Sequence, residues 1–487
     1  MNRAIDTEDF ASSVDTAESQ SRFVVVDNDE ALTAIMNAPL AQWRVFLHPM
    51  QKKLASGERS GPVRVLGGAG TGKTVLAMHR AKWLAEHATP EGKKVLVTTF
   101  TRNLAIDLEA NLNTLCTREV MSRIEVRNLD AWVLRFLRSK RYEQSTVYGR
   151  QDEAAECWHL ALAVKDATVG LDDEFYAVEF EQVVLAQGVT TLDDYRAARR
   201  VGRGVQLSRA KRDAIWPVFE EYRAQLASRR LKEVDDAYRD AAQLIAKDGH
   251  DLYSAIVVDE TQDFGPQALR LLRALIPPGT NDLFCVGDGH QRLYHRNRAA
   301  MSRSGIDIRG RARKLYLNDR TTDEIRRQAV ALLEGLEVDD LDDGTDDNWR
   351  YTSLSHGPAP IVETCASRED LVARVQILLL DWGVVPAAAD LGATCIMAES
   401  RAVRDQLMAA MRGIGYQVES IEADRRVNTE ANSLLLAMMH RAKGLEFQNV
   451  IVICTTVGSG DRGEIAPQLI YVALTRARQC AALLTSV

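Results

Sequence analysis

With 487 residues, 46% apolar and 26% charged, the chain has the length for about three ordinary domains and the composition of a globular protein. A net charge of −7 argues against indiscriminate coating of nucleic acid, although a local basic track stays compatible because charge placement sets the potential. No apolar run reaches membrane length, since Arg374 and Asp381 interrupt the nearest one (371–385), and seven scattered cysteines without a Cys-x-x-Cys pair suggest reduced thiols in a cytoplasmic protein rather than disulfides or a zinc site.

Residues 1–45 form an N-terminal extension. Its first 22 residues are acidic, polar and without period, which predicts disorder and is unlike a secretory signal. Phe23 to Val26 suit a short strand, and Glu30 to Phe46 have the spacing of an amphipathic helix, so this region is a candidate docking element for a protein partner. Strand and helix then alternate: Val63 to Leu66 as strand, Val75 to Glu86 as helix, Val95 to Phe100 as strand, and a helix through Leu112. Such alternation predicts an α/β fold with parallel sheets. Residues 136–249 turn helix-rich and read as a helical insertion. β-type runs return at Ala255 to Val258 and Leu283 to Val286, completing a first lobe of residues 46–135 and 250–312. A second α/β lobe, 313–487, includes the strands Thr394 to Met397 and Val450 to Ile453. Its acidic stretch Glu334 to Asp347 predicts a solvated loop, and Leu341 at a ligand position excludes a calcium loop there. Two basic runs, Arg196 to Arg212 and Arg296 to Lys314, suit either solvated faces or a nucleic-acid track.

Chemistry concentrates at the ends of the predicted strands. Gly67-Gly68-Ala69-Gly70-Thr71-Gly72-Lys73-Thr74 satisfies the phosphate-loop pattern between a strand and a helix, the context that such a motif requires. Gly68, Ala69, Gly70, Thr71 and Gly72 would cradle phosphates with backbone N–H groups, and the helix start adds its positive dipole end. Lys73 would reach the β- and γ-phosphates of ATP, with Thr74 on Mg²⁺. The strand Ala255 to Val258 runs into Asp259 and Glu260, the first suited to Mg²⁺ and the second to activating the attacking water. Transfer also needs positive charge against the γ-phosphate, typically an arginine worth ~10³–10⁵ in rate. Bare chemistry leaves open which of 61 basic residues supplies it.

From Leu47 to Leu484 the chain resembles, motif after motif, the UvrD/Rep-type superfamily 1 DNA helicases. The segments that carry this are Leu47-His48-Pro49-Met50-Gln51, the phosphate loop, Val97 to Asn103, Asn128 to Trp132, Asp259 to Asp263, Gly287 to Tyr294, Leu317 to Arg320, His440 to Phe447 and Tyr471 to Arg478. The resemblance implies two RecA-like lobes with ATP between them. It gives Gln51 to adenine, Glu446 to the ribose, and Gln291, Arg320 and Arg476 to the γ-phosphate. It gives Phe100, Thr101, Asp130, Tyr294, Arg296 and His440 to single-stranded nucleic acid. The expected activity is ATP-dependent translocation on, or unwinding of, DNA with 3′→5′ polarity by a monomer. RNA stays open as a track, and the alternative is an ATP- and DNA-sensing switch that acts on a partner such as a nuclease or toxin.

Several positions depart from the family's pattern. Asp319 stands where tyrosine usually stacks on adenine, and Val75 where arginine covers its other face, so base selection is expected to be relaxed or to rest on Gln51. Arg296 replaces a tryptophan on which a DNA base stacks, and Met438 replaces a polar residue. The short span from Arg320 to His440 lacks room for the large second-lobe insertion, and the short stretch after Arg478 lacks room for a nuclease domain. A compact translocase or weak helicase is expected.

Overall fold

A computed structural model describes residues 47–48, 51–148, 153–200, 205–249, 253–292, 299–318, 320–336, 338, 340–342, 344, 351–386, 388, 390–422, 427, 432–454 and 466–486. The N-terminal extension, with its expected strand and helix, lies outside them, as do Tyr294, Arg296 and Asp319. The strands in chain order are β1 (Val63–Gly67), β2 (Lys94–Thr99), β3 (Ile124–Asn128), β4 (Ser145–Val147), β5 (Leu231–Glu233), β6 (Tyr253–Val258), β7 (Leu283–Gly287) and β8 (Ala312–Leu315). They continue with β9 (Leu317–Asn318), β10 (Thr352–Ser353), β11 (Ile361–Cys365), β12 (Thr394–Ala398), β13 (Val418–Ser420), β14 (Leu434–Met438), β15 (Phe447–Cys454) and β16 (Ala477–Ser486).

The first sheet has the order β3-β2-β6-β7-β1-β8 and the second β11-β16-β15-β12-β14-β13. Neighbouring strands are parallel throughout both. Parallel pairing demands long crossovers, which the helices Lys73–His87 after β1, Arg102–Leu115 after β2 and Pro266–Ala274 after β6 provide. Helices on both faces bury the central strands completely, hence their unbroken Val/Ile/Leu runs. Side chains alternate between two cores: Val95 and Val97 enter one, Leu96 the other. In the second lobe Cys395 and Met397 face one core, Ile396 and Ala398 the other. These are two RecA-like α/β lobes.

Parallel pairing also dictates where the motifs go. The segments that follow β1, β2, β3, β6 and β7 all emerge at one edge of the first sheet, its carboxyl edge, where such sheets bind ligands. In the second sheet Glu446 and Arg476 directly precede β15 and β16, which are paired in register from Phe447 and Ala477. Both side chains therefore leave that sheet at its amino edge, side by side.

Packing moves three sequence-based boundaries. The insertion's own core spans 147–231, built on Trp158, Phe180, Tyr195, Phe219 and Tyr222. Helix Val234–Asp248, expected inside the insertion, buries Val234, Ala237, Tyr238, Ala241 and Ile245 in the first lobe, because its apolar stripe matches helices Leu129–Ser139 and Pro266–Ala274. Strand β8, expected in the second lobe, pairs with β1 at the edge of the first sheet. The acidic stretch is also not simply a solvated loop. Leu341 is 2% exposed and packs beside Gly287, while the Asp340 carboxylate pairs with Arg64 at 3.3 Å.

Much of the basic run Arg196 to Arg212 is spent within the insertion. Arg196 chelates Asp213, Arg200 forms a buried pair with Glu179, and Arg212 donates to the Tyr195, Arg196 and Ala198 carbonyls. Tyr222 stacks on Trp158 (4.1 Å between centroids), meets Phe180 edge-on, and donates to Glu233 at 2.6 Å. Tyr222→Ala should cost about 3–5 kcal/mol. Denaturant unfolding followed by tryptophan fluorescence should show an early transition of the insertion, with nucleotide affinity in the lobes retained.

Candidate nucleotide site between the lobes

The phosphate loop turns tightly from β1 into its helix. Gly70 and Gly72 take φ values of 74° and 75°, a region that side-chain-bearing residues avoid. At Gly70 a Cβ would also stand 2.1 Å from Asn318 Oδ1, so the β9 segment rests directly on the loop. Lys73, buried at the helix start, donates to the Gly68 carbonyl at 2.7 Å and lies 3.6 Å from Asp288. Thr71 Oγ1 donates to the same carbonyl at 2.9 Å. Gln51 is buried against the loop from outside, donating to the Thr71 carbonyl at 2.8 Å.

The acid pair follows β6. Thr74 Oγ1 donates to Asp259 Oδ2 at 2.8 Å, which joins the two expected magnesium ligands. Burial, and then the neighbouring Glu260, push the Asp259 carboxyl well above the usual range. Glu260 has φ 54° and ψ 42°, an uncommon conformation for a residue with a side chain, and accepts a hydrogen bond from Gln262 Nε2. Gln262 in turn accepts from the Asp288 N–H at 2.9 Å, tying β6 to β7. For Asp288, burial works upward, but Lys73 and His290 outweigh it and hold the carboxyl below its ordinary range. Among the described residues no group of three or more His, Cys, Asp or Glu is placed to hold a metal. Asp259 and Thr74 offer two hard oxygens, a set that fits Mg²⁺ sharing phosphate oxygens and water.

The second lobe closes the opposite wall. Arg476 Nη2 donates to Gln291 Oε1 at 3.0 Å across the lobes, while its Nε is held by the Val472 carbonyl. Arg320 pairs with Glu446 at 2.5 Å. Lys443 crosses to pair with Asp263 at 2.5 Å and donates to the Gln291 carbonyl at 2.9 Å. Gly70, Gly72, Lys73, Thr74, Glu260, Gln291, Arg320, Glu446 and Arg476 line one cleft between the lobes. Sequence reasoning gave no role to Gln262, Asp263, Asp288, Asn318 or Lys443. All five lay inside quoted motifs, and only their contacts across strands and lobes reveal their work.

The expected nucleic-acid residues gather elsewhere. Phe100 and Thr101 follow β2 and Asp130 follows its neighbour β3. Phe100 packs edge-on against Phe264, and Thr101 caps helix Arg102–Leu115 by accepting from the Leu104 N–H. Asp130 accepts from Tyr148 at 2.8 Å and from Tyr238. His440 is exposed on the second lobe just beyond β14. None of these four lines the nucleotide cleft.

A phosphate loop and acid pair on one parallel sheet, faced by arginines from another, define a two-lobed P-loop nucleotide-binding protein. The chain belongs to the UvrD/REP helicase family: residues 47–303 match its N-terminal domain, and residues 438–484 match the UvrD-like helicase C-terminal domain. It is 29% identical over 257 residues to the ATP-dependent DNA helicase UvrD2 of Mycobacterium tuberculosis, covering 48% of this chain and 35% of that protein. Over 293 residues it is 28% identical to DNA helicase IV of Escherichia coli, covering 53% and 42%. Over 243 residues it is 23% identical to PcrA of Leuconostoc citreum, covering 48% and 31%. These matches span less than half the length of each relative.

The raised Asp259 carboxyl has a stability consequence. A carboxyl whose folded pKa exceeds its unfolded value stabilises the fold when protonated, and that contribution is lost as pH rises through the folded value. Asp259→Asn keeps an acceptor for Thr74 and removes the charge. Without nucleotide it should raise Tm over wild type near pH 8, by roughly 1–3 kcal/mol of stability, with the gain shrinking towards pH 4. Calorimetry across that range checks the sign.

Proposed function

We propose that this protein is an ATP-dependent translocase on single-stranded DNA that moves 3′→5′ and unwinds weakly. The observation that carries the proposal is the Arg476–Gln291 hydrogen bond, which joins the second lobe to the γ-phosphate end of the first. ATP at the phosphate loop would be held by Lys73 and the loop N–H groups, with Mg²⁺ on Thr74 and Asp259. Glu260 accepts the proton of the attacking water, and Arg320 and Arg476 take up the charge that develops on the transferring phosphoryl. Because the arginines ride on a different lobe from the lysine, the γ-phosphate favours a closed cleft, and its loss favours an open one. A strand that crosses both lobes, along Phe100, Thr101 and Asp130 on one and His440 on the other, is then gripped in turn. Tyr294 and Arg296 belong to the same proposed track.

Weak unwinding is supported by what fills the span between Arg320 and His440. It holds β10 to β14 and three helices of the second lobe itself (Asp323–Ala331, Arg368–Asp381 and Arg401–Gly413), with no further cluster of its own among the described residues.

The test measures ATP hydrolysis with and without single-stranded DNA, and strand displacement on 3′- and 5′-tailed duplexes. Stimulation by DNA should vanish in Lys73→Ala and Glu260→Gln, and Arg476→Ala should lower kcat by ~10³-fold or more. Displacement only from the 3′-tailed duplex supports the stated direction. DNA-stimulated hydrolysis with no displacement and no movement would instead mark a sensing switch acting on a partner, and the translocase would be rejected.

A further inference from the structure

The helical insertion leaves the first lobe through β4 and returns through β5, which pairs with β4 in parallel and runs directly into helix Val234–Asp248. Tyr148 directly follows β4 and lies outside every segment that carries the family resemblance. Its hydroxyl donates to Asp130 Oδ2 at 2.8 Å, and Tyr238 from helix Val234–Asp248 donates to Asp130 Oδ1. Two phenols from different elements thus converge on one carboxylate just beyond the end of β3. Tyr238 is buried, but Tyr148 is 41% exposed, so its ring meets solvent while its hydroxyl stays anchored. Burial and then Asp130 push the Tyr148 phenol up, whereas Arg102 works the other way, which puts that guanidinium within electrostatic reach. Arg102 is itself exposed and directly follows Thr101.

We propose that Tyr148 is a stacking platform for one base of a bound single-stranded DNA, with Asp130 as the positioning residue that holds its ring. The proposal deepens, and rests on, the reading of this edge as the DNA track. A phenol fixed by a charged acceptor presents its apolar ring face in one orientation, so it loses little freedom when a base stacks on it. Every base has a π-face, so such a platform grips a strand without choosing its sequence, as a translocase requires. Phe100, the nearest ring among the residues expected on the strand, turns edge-on to Phe264 and packs on the first lobe's core. Tyr148 adds a more open ring to the same edge. Arg102 beside it would meet a phosphate, which positions the strand and leaves the ring to hold the base.

The experiment measures binding of fluorescently labelled oligodeoxythymidine to the full-length protein by anisotropy across a range of salt. Tyr148→Ala should bind at least ~5-fold more weakly, since stacking on one aromatic side chain is worth that much. The loss should be the same at every salt concentration, because a neutral ring releases no counterions. Arg102→Ala should instead flatten the salt dependence by ~0.7 in the logarithmic slope, the share of one phosphate contact. Tyr148→Trp should keep wild-type affinity, and Tyr148→Phe, a ring without its anchor, should fall between wild type and Tyr148→Ala. In parallel, an oligonucleotide that carries 5-iododeoxyuridine is irradiated on the wild-type protein, and a cross-linked peptide should contain Tyr148. Affinity unchanged in Tyr148→Ala, a loss that Tyr148→Trp shares, or cross-links confined to other peptides overturns the platform. If the wild type still shows DNA-stimulated hydrolysis beside any of these results, the platform alone is removed. A wild type that neither binds DNA nor responds to it removes the translocase and the platform with it.

Discussion

Everything in this molecule depends on two sheet edges being brought face to face. A parallel sheet has polarity, and the first lobe points its carboxyl edge at the cleft while the second presents Glu446 and Arg476 from its amino edge. Among the described residues the polar contacts between them include Arg476 to Gln291, Lys443 to Asp263 and Gln291, and the Asn103 amide to the Glu422 carbonyl at 2.6 Å, beside apolar ones such as Ala69 in the second lobe's core and Leu104 against Gly444. The directional polar contacts are lost when geometry changes by an ångström or two, whereas the apolar ones can slide. In the proposed motor such contacts suit a joint whose two states differ sharply.

The same economy governs the acids. Asp259, Asp263 and Asp288 are all fully buried, where charge is costly unless matched. Asp288 is matched by Lys73 and His290 and sits low. For Asp259, burial and Glu260 dominate, so its carboxyl sits high until a cation arrives. Burial raises Asp263 as well, even with Lys443 at 2.5 Å, and this makes the interlobe pair sensitive to how tightly the lobes close. Asp259 thus takes a proton readily beside the phosphate loop, and a Mg²⁺ held there would favour its charged form.

What could be read from the chain was whatever is local. The phosphate loop, the Asp259–Glu260 strand end and the central strands β1, β2, β6, β7, β12 and β15 announce themselves through glycine spacing and through apolar runs buried on both faces. Edge strands did not: β3, β11 and β13 carry charged residues (Glu125 and Arg127, Glu363, Glu419) because one side of each meets solvent or a loop. The lobe boundaries slipped for a related reason. Helix Val234–Asp248 looks like its helical neighbours in composition, and only its partners assign it to the first lobe. Leu341 is a single apolar residue in an acidic run, and no periodicity could signal that it would be buried. Gln262 and Lys443 were visible as letters in motifs, but their roles exist only between elements distant in sequence.

The claim that most needs testing is that Arg476 and Gln291 act as one unit on a shared substrate from opposite lobes. A double-mutant cycle of Arg476→Ala and Gln291→Ala, read as single-turnover ATP hydrolysis with saturating single-stranded DNA, addresses it directly. The account predicts strong non-additivity, with the double variant barely slower than the worse single one. Fully additive losses would mean that the two side chains work independently, and the coupled cleft described above would be wrong.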